Sequence, residues 1–99
     1  MLYAVLFEDS ADAGSDLRRR QIGAHLRFLE KNADRIKAAG PLQAPSSPGP
    51  VGGLWLVEAG SDEDVDALVK EDPFWPTGLR HSVRILRWSQ VFRDGRKLV

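Results

Sequence analysis

Three short stretches of this chain are apolar on both sides of an extended backbone, and only two others have the spacing of helices that could cover them. Leu2, Tyr3, Ala4, Val5, Leu6 and Phe7 run without a polar break, and Leu54, Trp55, Leu56 and Val57 do the same. Residues 81–88 set Val83 and Ile85 on one face against Leu86 and Trp88 on the other. Successive side chains of a strand point to opposite faces, so each of these strands needs apolar cover above and below. That requirement limits the architecture more than any single residue does.

The helices follow from periodicity. Ser15 or Asp16 can cap a first helix. Ile22, Leu26, Leu29, Ala33 and Ile36 then recur at spacings of four, three, four and three, which predicts one apolar stripe ending at Gly40 and Pro41. In the second helix Ser61 and Asp64 resemble a capping box, Val65, Leu68 and Val69 supply the buried side, and Pro73 forces the stop. Between residues 42 and 53, Pro45, Pro48, Pro50, Gly49, Gly52 and Gly53 leave a short edge strand plus a loop. Residues 1–92 read as one domain and the polar residues 93–99 as a frayed tail.

The order β, α, short β, β, α, β is that of an α+β, ferredoxin-like fold: a four-stranded antiparallel sheet with two helices on one face. Two helices leave the second face bare although its strands are apolar there. A homodimer packed through the sheet face is the simplest remedy, because extensive apolar patches are rare on monomers.

Composition narrows the function. Fourteen basic and fourteen acidic residues give no net charge, so no overall field draws the chain to nucleic acid. Residues 17–38 carry a local +5 and residues 58–72 a local −6, which reads as two solvated helix faces. With no cysteine and two histidines, a metal site lacks its usual ligands, and no metal or organic cofactor is expected. No run approaches the roughly 20 apolar residues that span a bilayer, and residues 1–7 lack the form of a signal peptide, so no membrane partner and a cytoplasmic location are expected.

His25 sits on a flank of the first helix with Gln21, Phe28 and Asn32, about 60° from the stripe. It is either a half-buried histidine bonded to a backbone carbonyl or a general base, which would need an orienting carboxylate. Asp72 is the carboxylate to examine, because Pro73 biases it to an extended conformation at the helix end. Asp9 and Ser10 close the first strand, where loops carry function but turn formers are also common. One of Arg18, Arg19 and Arg20, with Arg18 two turns before His25, can offer a guanidinium to an anion.

The strand ending in Glu8-Asp9, the helix from Arg18 to His25-Leu26, Ala39-Gly40-Pro41-Leu42, Gly53, Asp72-Pro73-Phe74, Gly78 and the closing Trp88 to Val91-Phe92 together resemble the YciI-like (YCII-related) proteins. That resemblance implies ferredoxin-like subunits paired as a dimeric α+β barrel, with a His and an Asp in the active site that match His25 and Asp72. It also brings in a dehydrochlorinase acting on a chlorinated hydroxyquinol. The expectation is a cofactor-independent lyase, isomerase or dehydrochlorinase-like enzyme for a small molecule. In it His25 and Asp72 are catalytic, and Arg18, Ser10 and Phe74 bind substrate. The competing class is a non-catalytic dimeric module that binds a small ligand or docks a partner.

Overall fold

The computed structural model describes residues 1–11 and 15–99, without the side chain of Ser15. Its elements are β1 (Leu2–Asp9), α1 (Ser15–Lys31), β2 (Ile36–Leu42), β3 (Gly52–Glu58), α2 (Asp62–Glu71), a 3-10 turn (Trp75–Thr77), β4 (Arg80–Arg87), β5 (Phe92–Arg93) and β6 (Arg96–Lys97). The first four strands form one antiparallel sheet in the order β2-β3-β1-β4, the α+β ferredoxin-like arrangement. No helix among the described residues is long and apolar enough to cross a membrane.

Alternation sorts the sheet into two faces. Tyr3, Val5, Phe7, Trp55 and Val57 are buried with Val65, Leu68 and Val69 of α2, and Val83 and Ile85 pack against them. Leu2, Ala4, Leu6, Leu54 and Leu56 point the other way and stay half-exposed, and beside them Leu86 is exposed. One face is therefore a core and the other an apolar surface.

Three expectations change. Helix α1 stops at Lys31, well short of Gly40, and residues 36–42 are the edge strand that the sequence placed after Leu42. The cause is Asn32. Its side-chain amide donates to the Phe28 carbonyl, its side-chain oxygen accepts from Arg35, and its backbone carbonyl accepts from the N–H groups of Arg35 and Ile36. Local bonds of this kind replace the helical ladder. Ile36 then pairs with Val57 in the sheet, and Pro41 is tolerated because β2 lies at the edge. The buried side of α1 is correspondingly the flank with His25 and Asn32, whereas Ile22 and Leu26 of the apolar stripe are exposed. Third, the tail is not frayed: β5 and β6 pair as a hairpin whose turn, Asp94 and Gly95, has positive φ at both positions.

The cap expected at Ser15 rests on a side chain outside the described residues; Asp16 stands in the first turn of α1. In α2 the Ser61 side chain accepts from the Asp64 N–H, and Asp72 follows the helix in an extended conformation, φ −64° and ψ 130°.

Gly52 opens β3 where the backbone of β1 comes close: a Cβ there would lie 2.1 Å from the Phe7 carbonyl oxygen. Gly52→Ala should therefore destabilise the domain by at least about 1–3 kcal/mol, the range for overpacking. Gly49→Ala, where a Cβ meets nothing within 4 Å, should unfold with the wild type in a thermal melt.

Candidate active site

Five charged or titratable side chains from four parts of the chain converge at one end of α1. His25 Nδ1 lies 2.7 Å from Asp72 Oδ1, and both side chains are buried, at 9% and 2% exposure. An ionised carboxylate only accepts, so against it a neutral imidazole carries its proton on Nδ1 and its lone pair on Nε2. Asp72 Oδ1 also accepts from the Phe74 backbone N–H at 3.2 Å. Pro73 makes this possible by holding Asp72 extended, which turns the carboxylate off the axis of α2 and toward α1. The rings of His25 and Phe74 stack at 4.4 Å between centroids, and Trp55 flanks the imidazole at 6.3 Å.

Arg80 continues the cluster. Its Nη2 is 3.9 Å from Asp72 Oδ2 and its Nη1 donates to Asp9 Oδ1 at 3.3 Å. Asp9 Oδ2 in turn accepts from Arg18 Nη2 at 2.5 Å. The order is imidazole, carboxylate, guanidinium, carboxylate, guanidinium. Burial lowers the Arg80 pKa, the nearby Arg18 adds to the fall, and the Asp72 and Asp9 carboxylates oppose it without offsetting it fully. The guanidinium carbon lies over the rings of Phe7 and Phe74, 4.2 and 5.3 Å from their centroids.

A β-bulge brings Arg80 there. From Tyr3 to Glu8, β1 pairs with β4 in constant register, but Asp9 lies opposite Arg80 and not His81. Strict alternation from Val83 and Ile85 would send His81 inward and Arg80 outward. The extra residue reverses this, so His81 is exposed and the Arg80 side chain is only 3% exposed.

These groups bound a cavity of about 150 Å³ lined by α1 (Arg18, Ile22, His25, Leu26, Leu29), the β2–β3 edge, Phe74 and Arg80. It opens between α1 and the sheet edge, and α2 contributes no lining residue. The loop of residues 45–50 lines none of it. Of the site residues named from the sequence, His25, Arg18 and Phe74 line the cavity and Asp72 stands behind His25. Ser10 lies elsewhere: its hydroxyl donates to the Gly78 carbonyl at 2.7 Å and its N–H to that of Leu79. Among the described residues no three of His, Cys, Asp and Glu gather as metal ligands would. Sequence reasoning missed Arg80 and left Asp9 open between a functional loop position and an ordinary turn former. The signal was an acidic residue ending β1 and a basic one opening β4, neighbours across an antiparallel pair of strands distant in sequence, but the bulge hid it.

The chain is thus a ferredoxin-like domain with a histidine–carboxylate contact beside a small cavity. The chain belongs to the YCII-related domain family, whose profile matches residues 1–89. No curated protein matches it. Among solved structures it is similar to 5-chloro-2-hydroxyhydroquinone dehydrochlorinase (TftG) from Burkholderia phenoliruptrix AC1100 in complex with 2,5-dihydroxybenzoquinone. The TM-score is 0.79 at 27% identity, over 90% of this chain and 94% of that one.

Removing a partner from this buried cluster should be costly. Asp72→Ala leaves Arg80 with Asp9 alone and the Nδ1–H of His25 without an acceptor, so chemical denaturation should show a loss of about 3–5 kcal/mol. Lys70→Ala, which removes the surface pair with Asp66, should stay within about 0.5 kcal/mol of wild type.

Proposed function

We propose that this chain is a cofactor-independent enzyme of lyase and isomerase type, acting like a dehydrochlorinase on a hydroxylated, single-ring molecule. The observation that carries the reading is the 2.7 Å contact of His25 Nδ1 with the buried Asp72, which leaves Nε2 as the proton acceptor at the cavity wall. A volume of about 150 Å³ suits one six-membered ring: an engineered apolar cavity of that size takes benzene. The similarity to a dehydrochlorinase that binds a dihydroxybenzoquinone supports the same substrate class.

The chemistry needs a mobile proton and no redox partner. His25 takes a proton from a ring hydroxyl and returns it to the chlorine-bearing carbon, which converts the phenol to a chloroketone. A second hydroxyl conjugated with that carbon then gives its proton to Nε2. Its O–H electron pair moves along the conjugated carbons, the C–Cl bond breaks with its pair, and chloride leaves. The sum is loss of HCl and formation of a quinone. Asp72 keeps the imidazole in one tautomer and stabilises the imidazolium.

The test is release of chloride and appearance of quinone absorbance from 5-chloro-2-hydroxyhydroquinone. Wild type should turn it over, and His25→Gln should lower kcat by about 10²–10⁴, the usual worth of a positioned base. Binding without turnover would instead favour the ligand-binding module.

We infer as well that two copies pair through the bare sheet face. Leu2, Ala4, Leu6, Leu54 and Leu56 are half-exposed there, and Leu86 and Trp88 are 39% and 42% exposed. An apolar surface of that kind favours self-association. Sedimentation at micromolar concentration should give about twice 11.0 kDa. Leu56→Asp should dissociate or unfold the protein, because the carboxylate would be desolvated without a partner; a well-folded wild-type monomer would refute the pairing.

A further inference from the structure

We propose that Arg80 holds the substrate oxygen that becomes negative when its proton leaves, so that the cavity selects rings bearing an acidic hydroxyl. The assignment rests on the reading of His25 as proton acceptor. It starts from a cation whose hydrogen bonds are incomplete. The Arg80 side chain is 3% exposed and lines the same cavity as His25. Of its five N–H donors, one makes a hydrogen bond among the described residues, at 3.3 Å to Asp9. Its Nη2 is too far from Asp72, at 3.9 Å, for a hydrogen bond, and its buried Nε has no partner among the described residues. Buried donors are rarely left so, because each unmade bond costs free energy, and the Nη2 donors, on a side chain that lines the cavity, are the ones an acceptor there can meet. Arg18 lines the cavity too, but its side chain is 20% exposed, so solvent can meet the donors that its bond to Asp9 leaves over.

The charges fit an oxyanion formed in place. Asp9 and Asp72 balance Arg18 and Arg80, so with a neutral imidazole the cluster carries no net charge. A neutral hydroxyl can enter such a site without electrostatic cost. When it gives its proton to Nε2, the O–H bond breaks, the N–H bond forms and the electron pair stays on oxygen. The new imidazolium lies against Asp72 and the new oxyanion against Arg80, each next to an opposite charge that was there beforehand. The guanidinium is packed against the rings of Phe7 and Phe74 and is 3% exposed, so its donors are held in position and not swept through solvent.

The probes are 2,5-dihydroxybenzoquinone, whose vinylogous-acid hydroxyls are ionised in neutral solution, and hydroquinone, a neutral ring of similar size. The wild type should bind the first at least tenfold more tightly. In nitrogen-15 spectra the Arg80 Nε–H resonance, identified by its absence from Arg80→Lys, should shift with the first probe and not with the second. Arg80→Lys keeps the charge that Asp9 and Asp72 require but loses the planar set of donors, so its preference for the anion should fall by about tenfold while hydroquinone affinity holds. Equal or absent binding of the two probes by wild type, an unmoved Nε–H at saturation, or an undiminished preference in Arg80→Lys would each overturn the proposal. Should Arg80→Lys not fold, the affinity ratio and the arginine resonances of the wild type decide. Neither probe carries chlorine and neither measurement needs turnover. Loss of the Arg80 assignment would thus leave the role of His25 standing, and an inactive protein with intact anion preference would refute only that role.

Discussion

A carboxylate that is 2% exposed has to be surrounded by donors, and the groups gathered around Asp72 tie the domain together. His25 comes from α1 and the Phe74 N–H from the turn after α2, while Arg80, from the start of β4, adds its charge at 3.9 Å. Through Arg80 the constraint reaches Asp9 at the end of β1, and through Asp9 it returns to α1 at Arg18. The loop of contacts thus begins and ends on the same helix, two turns apart. It fixes both the height of α1 above the sheet and its rotation. That explains why the helix presents His25 inward and not the apolar stripe: Ile22 and Leu26 are left for the cavity mouth, where they can meet a ligand.

Much of this was legible in the residues, for reasons that can be separated. Helix α2 reads cleanly because its cap, its buried Val65, Leu68 and Val69, and its terminating Pro73 all agree. Asp72 was legible for the same reason, since the proline that stops the helix also turns the carboxylate away from it. The two-faced character of β1 and β3 needed only alternation. Helix α1 was misread because Ala33 and Ile36 continue the period by coincidence. Asn32, an unremarkable polar residue in the pattern, redirects the backbone with its own side chain, and Ile36 is buried as a strand residue. Periodicity cannot distinguish a stripe that continues a helix from one that resumes in a sheet.

The location of the cavity was not legible, because it depends on where α1 ends. A helix running to Gly40 would have closed the space over β2; stopping at Lys31 leaves Ala39, Gly40 and Pro41 as a shallow wall of small side chains. Gly53 serves the same space from β3. A Cβ on it would approach Arg80 Nη1 at 3.2 Å and crowd the cation from below. The small residues at this edge are thus as much part of the site as the charged ones.

The bulge opposite Asp9 makes β4 a strand of two phases. From Ser82 onward its parity is set by the sheet, with Val83 and Ile85 answering to the core. Before His81 the parity is inverted and Arg80 answers to the cavity. A change of residue in one phase does not propagate to the other, because the intervening residue absorbs the half-period between them. In an evolving lineage this uncouples two kinds of selection: side chains near the cavity can be exchanged to suit a new ligand while the pattern that holds the sheet together is inherited unaltered.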